Sequence, residues 1–127
     1  KNRNQLMRTC AELLRHLSQK PAIDDDAKDM AAYLVICLQR IEEGIDESAS
    51  VWEKRDYWVK ADKFRMEWLW AGQYAEKMKT AILTEDWAGV ALVMTQTAQK
   101  LAKVQVPAGH RLGKPWVGAF QQLTREA

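Results

Sequence analysis

VWEKRDYWVKADKFRMEWLW, from Val51 to Trp70, holds four of the chain's six tryptophans among closely spaced charges, and its reading decides the fold. A stacking surface would need the rings on one side. At 100° per residue they spread around a helix instead. Tyr57, Ala61, Phe64, Trp68, Ala71, Ala75, Met78 and Ile82 step by four and three, which predicts one long helix over about residues 51–83. Trp68 alone among the tryptophans lies on this main stripe. Trp52 and Trp70 share a second ridge with Val59, Met66 and Tyr74, and Trp58 shares a third with Val51 and Leu69. Ser50 and Glu53 have the spacing of a capping box for the start of this helix, and Gly72 offers a place to bend it.

Helical spacing continues on both sides. Leu6, Cys10, Leu13 and Leu17 mark a first helix that stops before Lys20-Pro21. The acidic cluster Asp24 to Asp26 favours a second start, with the stripe Met30, Leu34, Cys37 and Ile41 running to Gly44. Thr84 is expected to cap a further helix along Trp87, Val90, Met94, Ala98, Leu101 and Gln105, where Gln105 is the one miss in the apolar stripe. VPAGHRLGKPWVGAF then reads as a loop rich in glycine and proline, followed by a short helix from about Trp116 to Arg125. The expected fold class is all-α: an antiparallel four-helix bundle with one unusually long helix and a short C-terminal helix. One domain is expected, 1–127, with the bundle in 1–106 and residues 107–127 packed on it.

Charge is segregated along the chain. Residues 1–23 carry five basic side chains against one acidic, residues 24–86 nine against fifteen, and residues 87–127 five against one. Cys10 and Cys37 each fall on an apolar stripe, so buried free thiols are expected rather than a bridge or a metal pair. No apolar run approaches the ~20 residues of a membrane span, and the expectation is a cytoplasmic protein without membrane association. The first residue is Lys1 rather than Met, as in a trimmed fragment.

Three apolar ridges are more than a helix in a simple bundle needs. Trp52, Trp58, Val59, Met66, Trp70 and Tyr74 are therefore expected to be covered, first by Trp116, Val117 and Phe120 crossing the early part of the long helix, otherwise by a second subunit or another protein. Base stacking is disfavoured because Glu53, Asp56, Asp62 and Glu67 stand among the rings. Arg8 and Arg15, with Lys1, line one face of the first helix, while Lys100, Lys103, His110, Arg111 and Lys114 form a second basic group. These are candidate contacts for a nucleic-acid backbone. Catalysis has little support: His16 has Glu12 one turn before it, a spacing for a surface pair, and His110 lies in a glycine-rich loop. No metal ligand set, cofactor fingerprint or catalytic residue is assigned. The sequence reading is a non-enzymatic helical interaction module, a homo-oligomer or small subunit of a larger assembly. The alternatives are a subunit gripping nucleic-acid backbone, inside a ribonucleoprotein or DNA-associated complex, and a binder of small apolar ligands.

Overall fold

The Asp24 to Asp26 cluster starts a helix as its chemistry requires. The Asp24 carboxylate accepts the backbone N–H of Ala27 at 2.8 Å, and Asp25 and Asp26 place negative charge in the first turn. The computed structural model describes residues 2–106 and 112–126, and the helices among them are α1 (Asn2–Ser18), α2 (Asp25–Lys54), α3 (Trp58–Glu67), α4 (Leu69–Leu83), α5 (Trp87–Lys100) and α6 (Ala119–Arg125). The chain is all-helical. α2 is the axis on which α1, α3, α4 and α6 pack, while α5 packs chiefly on α4.

The long helix lies elsewhere than the spacing predicts. α2 runs straight through Gly44, where a side chain would meet only open space, so this glycine neither turns the chain nor stops the helix. Ser50 and Glu53 are consequently inside α2, not at a helix start. The stop comes at Arg55 to Tyr57. Asp56 adopts a left-handed φ of 63°, and the N–H groups of Asp56 and Tyr57 return to the carbonyls of Glu53 and Trp52 at 3.0 and 2.9 Å. This is a Schellman closure with aspartate in the position that usually holds glycine, so composition gives no warning of it. The same closure ends α4, where Glu85 has φ 55° and the N–H groups of Glu85 and Asp86 return to Ile82 and Ala81. Thr84 therefore belongs to the end of α4, and the cap of α5 is Asp86, which accepts the Gly89 N–H at 3.0 Å. Between α3 and α4 the helix kinks at Trp68, where Ala71 N–H closes a tighter turn onto the Trp68 carbonyl, rather than at Gly72.

The predicted 51–83 helix is thus three pieces, and the last two fold back along α2. Arg65 of α3 reaches Asp46 and Glu53, and Gly72 of α4 sits against the Glu42 side chain. The core between the layers is continuous: Leu13 of α1, Leu34, Leu38 and Ile41 of α2, and Met78 and Ile82 of α4 are all buried within one cluster. Burying such side chains contributes about 1.5–3 kcal/mol each before entropy is counted. No helix among the described residues is long and apolar enough to cross a membrane.

Candidate interaction surface

α3 meets α2 through Ala61, which is buried, and through Phe64, Arg65 and Trp68. The Arg65 guanidinium bonds Asp46 at 3.0 Å and also the Glu53 carboxylate, fixing the rotation of the helix. That rotation determines what the opposite side displays. Trp58 is 56% exposed, Val59 69%, Met66 75% and Leu69, just past the kink, 54%. Tyr57, placed on the main stripe by spacing, is also exposed because the α2–α3 turn takes it off the helix.

The other rings stay with the chain. Trp52 packs edge-on against Phe64 at 4.9 Å with the Lys60 ammonium 4.4 Å from its ring centroid. Trp70 lies between Trp68 and Tyr74 with its ring tilted to both, and the Arg3 guanidinium lies 5.2 Å from the ring centroids of both Phe64 and Trp68. Trp52, Trp70 and Tyr74 are each half-buried.

The C-terminal segment does not cover the early part of this region, contrary to the expectation. Trp116, 3% exposed, donates its indole N–H to Asp26 at 2.7 Å and sits beside the His16 ring at 6.1 Å. The N–H groups of Gly118 and Phe120 donate to Asp29 at 3.2 and 2.9 Å. Acceptors at the start of α2 therefore capture the segment, and α6 begins at Ala119, three residues later than expected. Lys28 bridges the rings of Trp87 and Phe120, closing that end of the molecule. None of the described residues covers the outward side of α3.

Beside Leu69 a groove of about 330 Å³ opens between α2 and the α3–α4 kink, lined by Glu42, Glu43, Asp46, Arg65, Ile45 and Trp68. Its rim is acidic and its floor apolar. A second groove brings together Arg8 and Met7 of α1 with Lys103 and Val104 beyond α5. Lys100, the last residue of α5, is exposed. Arg8 and Lys103 thus come from basic groups that the sequence keeps ninety-five residues apart. Arg15 instead bonds Glu12 at 3.1 Å, and Lys114 lies at the other end, where its charge helps hold the Asp26 carboxyl below the usual range. Arg111 and His110 fall outside the described residues, as does Lys1.

Cys10 and Cys37 are free and buried. The interaction between the two sulfurs, then burial, pushes the Cys10 thiol up, while the same interaction holds Cys37 below the ordinary thiol range against the opposing effect of burial. Among the described residues no group of three or more His, Cys, Asp or Glu is gathered in a way that could hold a metal ion. Trp58, Val59 and Met66, which the spacing singles out, are exposed, as is Leu69 on the ridge of Trp58; the spacing does not single out Arg65, whose position follows from Ala61, the one small residue of α3, facing α2.

Comparison with family models, with curated proteins and with solved structures returned no match.

Proposed function

We propose that this chain is a non-enzymatic helical interaction module of the cytoplasm, acting as a homo-oligomer or as a small subunit of a larger assembly. In this reading α1, α2, the α3–α4 arm and α5 form an antiparallel four-helix bundle, with α6 strapped to the start of α2. The observation that carries the function is the outward side of α3. Single exposed apolar residues are ordinary on any surface. Four large ones on one short helix and its kink, held outward by the Arg65 tether, form a patch of the kind found in interface cores.

The test is the triple variant Trp58→Ser, Val59→Ser, Met66→Ser. If these residues serve an interface, the variant unfolds within about 1 kcal/mol of the parent, as surface substitutions do, and association is lost. A loss of more than about 3 kcal/mol would put the side chains in the fold and overturn the reading.

A second reading has one observation in its favour, the convergence of Arg8 and Lys103 on one groove. Such a groove suits a phosphate backbone. It predicts binding to mixed nucleic acid that weakens steeply between about 50 and 200 mM salt and is reduced across all sequences by Arg8→Ala or Lys103→Ala. Absence of binding at the lower salt removes this reading.

A further inference from the structure

The α3 face has a counterpart on the same molecule. The outward side of α5 displays Ala88, Ala91, Leu92, Thr95 and Ala98, all exposed and Leu92 at 61%. Apart from Leu92, and from Gln99 near the C-terminal end of the same face, the side chains are small, so another helix can approach closely over the first turns. From Trp58 to Leu69 the α3 face spans about 18 Å, and α5 spans about 21 Å, at 1.5 Å per residue. The two faces match in extent, one bearing large apolar knobs and the other mostly small side chains.

Charge selects one direction of pairing. The α3 face begins after Lys54, Arg55 and Asp56, net positive, and ends, past Leu69, at the groove where Glu42 and Glu43 stand beside the Arg65–Asp46 pair. α5 begins next to Glu85 and Asp86 and ends at Lys100, with Lys103 and Arg8 beyond. Side by side and parallel, opposite charges meet at both ends. Reversed, like charges meet at both ends. We infer that α3 of one copy docks in parallel on α5 of a second copy, building a head-to-tail array of this chain.

Two further relationships favour this occupant. α3 packs on α2 and α4, whereas α5 packs on α4 and α1, so one molecule can use both faces at once. A heterologous contact of that kind propagates rather than closing into a two-fold dimer. Asp62 lies between Trp58 and Met66 on the outward face of α3. Pairing α3 with its own copy across a two-fold axis would press two Asp62 carboxylates together without a cation, which is costly. Docked in parallel on α5, the same carboxylate instead falls opposite Ala91 and Leu92, about 6 Å from the start of the helix, and meets no second Asp62.

The inference rests on the reading of α3 as an interface, and light scattering on the full chain tests the two separately. Wild-type mass should rise with concentration beyond the dimer, up to about 1 mM, the weak end of specific affinity, and fall back as salt screens the charged ends. Met66→Asp alone and Leu92→Asp alone should each be monomeric. Mixed, they should form a one-to-one complex that grows no further, because each supplies the face the other lacks. A wild type that stays monomeric, a Leu92→Asp variant that still dimerises, or a mixture that stays monomeric overturns the head-to-tail array. Thermal unfolding of Met66→Asp separates the failures. If it matches wild type, only self-association is lost as an idea; if it falls sharply, the α3 face belongs to the fold and the interaction reading goes with it.

Discussion

The indole of Trp116 donates its N–H to the Asp26 carboxylate at 2.7 Å, joining residues ninety positions apart at the first turn of α2. One aspartate thus serves as a favourable charge at a helix start and as the anchor for the C-terminal segment. Trp116→Ala should cost about 3–5 kcal/mol, the range for deleting a buried large aromatic. Trp116→Phe keeps most of the packing, loses the hydrogen bond and should cost about 1 kcal/mol. Urea unfolding of both variants checks the ordering; equal losses would mean that the indole N–H contributes little.

The same corner makes stability depend on acid. The Ala27 N–H, then Lys20, hold the Asp24 carboxyl below its ordinary range; Lys20, then the Trp116 indole, do so for Asp26. Because the folded values are depressed, the stabilisation is complete above the unfolded value of about 3.9 and is lost as pH falls through the folded values. Lys20, raised chiefly by Asp26, loses its share at the alkaline end, as pH climbs above about 10.4. Denaturation midpoints measured from pH 5 downward should fall less steeply in Asp26→Asn than in the parent.

Burial governs the thiols. Cys37 is held below the ordinary thiol range, a condition that would speed its reactions in water, but both sulfurs lie in side chains with no exposed surface. A thiol reagent such as Ellman's at pH 8 should leave both unmodified in the native protein and titrate both in urea. Fast labelling of Cys37 without unfolding would contradict the packing of α1 on α2.

The α2 stop gives a backbone prediction. Asp56 holds a left-handed conformation that disfavours branched side chains, so Asp56→Val should destabilise by about 1–2 kcal/mol. Asp56→Gly should be neutral or mildly stabilising, because relief of that conformation is offset by the freedom glycine adds to the unfolded chain. Thermal unfolding of the pair checks both signs.

Much of the fold was legible because helix periodicity is a local property. The stripes of Leu6 to Leu17 and Met30 to Ile41, the Asp24 cap, the stop before Pro21 and the burial of Cys10 and Cys37 all follow from residues within a few turns of one another. The breaks were harder to read. Asp56 and Glu85 take a conformation that glycine usually signals, and Gly44 occupies a helix that it is expected to end. A periodic apolar stripe runs through such a break unchanged, since its spacing records which residues are buried and not whether the backbone between them is continuous.

The sequence by itself determined an all-helical chain, its main apolar stripes and a surplus of aromatic residues around Val51 to Trp70. Only the tertiary structure decided who covers them. Asp26 and Asp29 draw Trp116 and Phe120 to the start of α2, far from the rings they were expected to shield. Arg65 locks α3 with Ala61 inward, so Trp58, Val59, Met66 and Leu69 are left facing out. Both outcomes depend on partners brought together from distant parts of the chain, which no local pattern encodes.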